Sequence, residues 1–203
     1  MNIKSVLSTP YIILLLMMTW SACSLEEQEN EPILTNISSP NILLIIADDM
    51  GKDAMPGYPE GTIKPNTPTL SQLENQGIIF TKFWVNPTCT PTRASIITGK
   101  YGYRTGVTDV GDGLDISEKI LHRYLKEETD NEYATALVGK WHLSGNRPTN
   151  NPDIWGVDYF AGLLGGGVQD YYDWELTEGN VTSPRTDYIT STLTDLAIDW
   201  ISD

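Results

Sequence analysis

Asn41-Ile42-Leu43-Leu44-Ile45-Ile46-Ala47 is an unbroken apolar stretch of strand length that ends abruptly in Asp48-Asp49. A strand with one face in water alternates apolar and polar residues. A run with no polar face must be covered on both sides, as in a sheet held between helices. The folded domain is therefore expected from about Pro40 onward, and the rest of the chain supplies the other parts. Thr67-Pro68-Thr69 opens a helical pattern through Leu70, Leu73 and Glu74 that Gly77 stops. Ile78 to Val85 reads as a second strand, and Pro91 to Thr98 as a helix closed by Gly99. Asp115 or Ser117 can cap a helix with Ile120, Leu121, Tyr124 and Leu125 on one face. Tyr133 to Val138 reads as a third strand. Residues 146–184, rich in Gly, Pro, Asn and Tyr, read as loop, and Ile189, Leu193, Leu196, Ala197, Trp200 and Ile201 recur at helical spacing. Strands alternating with helices predict an α/β fold with a mixed, mainly parallel sheet flanked by helices.

Ahead of this domain the chain reads differently. Lys4, the apolar run Tyr11 to Met18 and the small residues Ser21-Ala22 have the charged, apolar, small-residue order of a secretory signal peptide over residues 1–22. Cys23 directly after the small pair resembles the lipidation site of a bacterial lipoprotein, although Trp20 stands where a Leu-like residue is usual. Plain secretion with Cys23 unmodified is the other reading. Residues 23–39, acidic and with Pro32 near their middle, read as a solvated tether. The expected location is the bacterial cell envelope, with the membrane reached through the lipid anchor. The formal net charge of −14 argues against a nucleic-acid partner, which requires a basic footprint. An anionic substrate would have to be held by local positive groups. With two cysteines, Cys23 and Cys89, there is no disulfide framework and no Cys-based zinc site.

The chemistry concentrates at strand ends, where α/β sheets gather their binding groups. Pro91 suits the first turn of a helix, so Cys89 falls at or just before a helix N-terminus. Unpaired N–H groups and the helix dipole there favour an anion and a thiolate. Arg93, in the same turn, adds a planar fork suited to a tetrahedral oxyanion. On these residues alone, an inert buried thiol with Arg93 in a surface ion pair is an equal reading. Asp48-Asp49 alone would read as a turn with helix caps. His122 lies off the apolar face of its helix and reads as a solvated surface residue; Lys100 reads as a helix-end cap.

Three ordered segments break the tie. Cys89-Thr90-Pro91-Thr92-Arg93, continuing to Thr98-Gly99, matches the C-x-P-x-R signature of type I sulfatases. Ala47-Asp48-Asp49-Met50-Gly51 resembles that family's first metal-binding segment. Gly139-Lys140-Trp141-His142-Leu143 resembles its G-K-W-H-L-G segment, and Gly156 to Phe160 and Gly165-Gly166-Gly167 through Asp173 resemble the next stretch of arylsulfatases. The resemblance runs from about Pro40 to Asp203 and implies an alkaline-phosphatase-like fold. It implies that a maturation enzyme oxidises Cys89 to formylglycine. One hydroxyl of the aldehyde hydrate would attack sulfur, and the other would later expel sulfate. Arg93 would hold the hydrate, Lys140 would bind sulfate, and His142 would orient the hydrate or exchange a proton with it. Asp48, Asp49 and the Cys89 side chain would bind a divalent cation, calcium in preference to magnesium. The substrate implied is an aryl sulfate or a sulfated glycan.

The chain departs from the family in several places. Ser144 interrupts the usual L-G after Leu143, and Glu127 to Glu132 replaces a short Gly turn. The family's later Asp-Asn pair, second His and second Lys have no counterpart before Asp203. The expectation is an N-terminal portion, with a sheet short of strands, a last helix with its apolar face uncovered, and little or no activity on its own. Two rival functions remain at this level. One is a phosphatase or phosphodiesterase of the same superfamily, which a Cys within C-x-P-x-R speaks against. The other is a non-catalytic, truncated, glycan-binding lipoprotein.

Overall fold

The computed structural model describes residues 39–145 and 150–203. The expected leader (residues 1–22), Cys23 and the tether to residue 38 lie outside the described residues. Contacts divide the chain after Ile42, and the unit Leu43–Asp203 holds every helix and strand among the described residues. Among the described residues no helix is long and apolar enough to cross a membrane.

A four-stranded sheet forms the centre, in the order β1 (Ala136–Lys140), β2 (Tyr159–Leu163), β3 (Trp174–Glu178), β4 (Val181–Arg185). β1 and β2 are parallel, with Ala136 opposite Tyr159 and Lys140 opposite Leu163. The β2–β3 and β3–β4 pairs are antiparallel, so the sheet is mixed and its parallel part lies at β1–β2. Pro184 sits on the edge strand β4, where a missing N–H costs no ladder bond.

Strand alternation sorts side chains onto two faces. Phe160 joins Ala94, Ile97, Val107, Leu114, Ile120, Trp141, Leu143, Trp155 and Val157 in one core. Its neighbour Ala161 joins Trp174, Leu176 and Ile189 in the other, with Leu193 and Leu196 packed against them. Helix α2 (Cys89–Thr98) brings Ala94 and Ile97 to the first face, and α5 (Ile189–Ser202) covers the second. Helices on both sides of a mixed sheet make this an α/β fold, as the pattern predicts. Trp141 and Trp155 meet at 5.2 Å with their rings tilted by 53°, a pairing worth about 0.5–1.5 kcal/mol beyond its buried area.

Three helices complete the set. α1 (Pro68–Gln76) starts on its proline, as expected. α3 is the single turn Gly102–Thr105. α4 (Leu121–Glu128) begins later than the Asp115 and Ser117 signals suggest. The Asp115 carboxylate instead accepts bonds from the Ser117 N–H and hydroxyl, at 2.8 and 2.6 Å, and closes a turn.

Other expectations are corrected. The Asn41–Ala47 run forms no strand among the described residues, and Leu43 and Ile45 are over 70% exposed. Ile78 to Val85 is likewise unpaired, with Trp84 90% exposed. A strand is held by its neighbours' backbone hydrogen bonds, and among the described residues no strand pairs with these segments; the Phe80 carbonyl accepts from the Tyr58 hydroxyl at 3.0 Å instead. The third strand begins at Ala136, not Tyr133, because Thr135 is taken by Asp158, whose carboxylate accepts from its N–H at 3.0 Å and its hydroxyl at 2.9 Å. Residues 146–184 are not all loop: they contain a 3-10 turn (Pro152–Trp155), β2, β3 and β4. On α5, Ile198 and Ile201 remain exposed.

Candidate active site

Two element ends build the site. α2 begins at Cys89, with Thr88 as its extended N-cap and Gly99 ending it in the left-handed region (φ 66°). The Thr92 hydroxyl donates back to the Thr88 carbonyl at 2.8 Å and the Asn86 carbonyl at 3.1 Å, fixing the entry of the chain into the helix. The second end is the carboxyl end of β1. The parallel ladder continues past Lys140: Trp141 N–H donates to the Leu163 carbonyl at 2.8 Å and His142 N–H to the Leu164 carbonyl at 3.2 Å. Trp141 and Leu143 are buried in the core, which anchors Lys140 and His142 between and beside them. His142 sits in the left-handed region (φ 57°) and so does Asp49 (φ 53°). Such backbone costs a non-glycine residue about 1–3 kcal/mol and collects at functional sites.

The two ends meet. Cys89 Sγ lies 3.4 Å from His142 Nδ1, and Thr90 Oγ1 lies 3.3 Å from the same nitrogen. Arg93, four residues after Cys89 and so on the same helix face, donates from Nη1 to the Lys140 carbonyl at 2.6 Å. Its Nη2 is 3.4 Å from Asp48 Oδ2, and Lys140 Nζ is 2.5 Å from the same oxygen. The structure thus brings Cys89, Arg93, His142, Lys140 and Asp48 together in one cluster. Asp49 enters none of these contacts. Thr90, fully buried, is a member that sequence reasoning missed. It occupies the variable position of the C-x-P-x-R pattern, so its only signal is adjacency to Cys89.

Burial and the two cations together set the electrostatics. Burial pushes the Asp48 carboxyl upward, but the Lys140 ammonium and the Arg93 guanidinium outweigh it and hold the group below the usual carboxylate range. His142 is held below the ordinary imidazole value, first by burial and then by repulsion from Lys140 and Arg93, with Asp48 opposing. A neutral imidazole therefore faces the Cys89 side chain at neutral pH. Lys140 has two ammonium hydrogens beyond the one given to Asp48, so an anion can still be bound. Asp48 and Asp49 are the hard oxygen donors that calcium takes, but calcium takes about six to eight oxygens. Among the described residues no three of His, Cys, Asp and Glu stand together as a metal nest. The residues fit part of a calcium site, in kind though not in number.

One bystander differs from expectation. His122 is not solvated: its ring is largely buried, with Nε2 at 3.3 Å from the Ala136 carbonyl. Lys100 forms an ion pair with Glu118.

Several known proteins resemble this chain. The chain is 31% identical to an N-acetylglucosamine-6-O-sulfatase of Bacteroides thetaiotaomicron over 196 residues, covering 96% of this chain and 32% of that protein. It is 38% identical to mouse arylsulfatase G over 137 residues, covering 64% of this chain and 25% of the relative. A solved structure in complex with its substrate, D-glucosamine-2-N,6-O-disulfate, superposes with a TM-score of 0.69 at 31% identity, over 81% of this chain and 31% of that one. The chain thus spans a third or less of the length of these relatives. The sulfatase family profile matches residues 40–203, and the chain belongs to the sulfatase family.

Proposed function

We propose that the complete protein hydrolyses sulfate esters, of a sulfated glycan or an aryl alcohol, at the cluster around Cys89. The observation that carries this is the convergence of a nucleophile position, a neutral imidazole and two cations on one spot. The glycan sulfatase among the relatives supports the substrate class. A maturation enzyme would convert the Cys89 thiol to the formylglycine aldehyde, whose hydrate supplies the attacking hydroxyl. His142, 3.4 Å from the Cys89 side chain, accepts or returns a proton there as a general base or acid. Arg93 and Lys140 stabilise the negative charge on the sulfate oxygens from fixed positions. Asp48, Asp49 and the Cys89 side chain would hold a calcium ion, which would polarise the ester. The leader over residues 1–22 and Cys23 would place the enzyme in the cell envelope on a lipid anchor.

The test is a side-by-side assay of the full-length protein, co-produced with a formylglycine-generating enzyme, on matched sulfate and phosphate esters. Sulfate release is expected to dominate, with Cys89→Ala lowering it roughly 10³-fold or more. Mass spectrometry of the Cys89 peptide should show aldehyde. Faster phosphate release, or full activity with an unmodified thiol, would overturn the reading.

A further inference from the structure

The loop after β2 runs through three consecutive glycines, Gly165, Gly166 and Gly167. None of the three has left-handed backbone, so conformational freedom does not explain them. Space explains one. A Cβ on Gly166 would lie 2.7 Å from both Cε1 and Nε2 of His142 and 3.3 Å from its Nδ1. Carbon contacts at optimal separation lie at about 3.5–4.0 Å, so no side chain fits there with the ring in place. A Cβ on Gly165 or Gly167 would meet nothing within 4 Å.

The ladder that extends β1 and β2 explains why this glycine meets this ring. His142 N–H donates to the Leu164 carbonyl, so the chain two residues before Gly166 is already tied to the His142 backbone. From there the loop passes against the imidazole. Cys89 Sγ and Thr90 Oγ1 touch the ring at Nδ1, and the Gly166 backbone limits it at the Cε1–Nε2 edge. The imidazole is therefore confined between the start of α2 and the Gly166 backbone.

We propose that Gly166 is a positioning residue for His142: the absence of a side chain at 166 lets the loop hold the imidazole against Cys89. The catalytic meaning of this contact rests on the sulfatase reading, but the contact itself does not. Because the obstructed atoms belong to a side chain that can swing, Gly166→Ala should displace the ring more readily than it unfolds the protein. A misplacement of about an ångström costs on the order of 10²-fold in rate.

The experiment compares Gly165→Ala, Gly166→Ala and Gly167→Ala in the full-length protein, each alone and combined with His142→Ala. The chemical shift of the His142 Cε1–H resonance, assigned by its loss in His142→Ala, is read at one fixed pH. Gly166→Ala is expected to move that resonance and to leave that of His122 in place. Gly165→Ala and Gly167→Ala are expected to move neither. Melting temperatures supply the second readout: Gly166→Ala should lower Tm when His142 is present and lose most of that effect once the ring is gone. An unmoved His142 resonance, equal shifts at His122, or an equal Tm loss without the ring would each overturn the proposal. If Gly166→Ala does not fold, its combination with His142→Ala should fold; failure of both would also overturn it. Neither readout uses sulfate, so a wild-type protein without sulfatase activity would refute the function and leave this inference standing.

Discussion

His122 and His142, the chain's two histidines, are both held below the ordinary imidazole value of 6.5, and burial leads in each case. At His122 the Ala136 carbonyl and the Asp158 charge oppose burial without overcoming it. Its Nε2 faces the Ala136 carbonyl, while Nδ1 is buried with no partner. Protonating Nδ1 would create a buried N–H with nothing to bond, which costs about 1–3 kcal/mol. Just below pH 6.5 the unfolded chain therefore binds more protons than the folded one, and stability is lost as pH falls through that value toward the lower folded-state pKa. Melting temperature should drop on going from neutral pH into this window, by roughly 2–4 °C for each kcal/mol lost. His122→Gln should flatten the drop; an unchanged slope would remove His122 as its source. Legibility in the sequence also divides residue by residue. Cys89, Arg93, Lys140, His142 and Asp48 each lie in a short motif whose chemistry is local. Thr90 and Gly166 matter through contacts made across the fold, and no spacing along the chain records those.

Among the elements, β1 and β2 carry the site, since their ladder sets where Lys140 and His142 stand. Gly139 and Gly162 are opposite each other in it. A Cβ on Gly162 would lie 1.9 Å from the Gly139 carbonyl oxygen and 2.7 Å from its carbon. Those atoms are backbone, so relief requires the strands to part. Gly162→Ala is expected to destabilise the protein by about 3 kcal/mol, at the upper end for overpacking, measured as a lower urea midpoint. A loss within about 0.5 kcal/mol, the level of a surface change, would mean that the strands can separate freely there. The ladder also explains what pattern reading could and could not find. α1, α2 and α5 declare themselves by proline, glycine and apolar spacing. β3 and β4 do not, because Trp174-Glu175-Leu176-Thr177-Glu178 is a short alternation embedded in Gly, Asn and Tyr, and β4 contains Pro184. The Asn41–Ala47 run failed in the other direction. Its apolarity states what it needs, coverage on both faces, and a sequence cannot show whether neighbours meet that need.

For the whole molecule, two effects oppose each other. Leu43 and Ile45 are exposed on one apolar segment and Phe80, Phe83 and Trp84 on another, and a cavity of about 310 Å³ opens beside the second, lined in part by Ile78, Ile79, Phe80 and Phe83. Contiguous apolar surface of this kind drives association. The formal net charge of −14 keeps copies apart. Charge repulsion between separate molecules is screened over about 8 Å at physiological ionic strength and about 3 Å at 1 M salt. Apolar attraction is not screened. The 203-residue chain is therefore expected to sediment nearer its 22.6 kDa monomer mass at low salt and to grow in mean mass as salt is raised. Leu43→Lys combined with Trp84→Lys should suppress that growth, because charge then interrupts both apolar segments. Growth that falls with salt would assign the association to opposite charges, and growth unaffected by the two lysines would place the sticky surface elsewhere on the molecule.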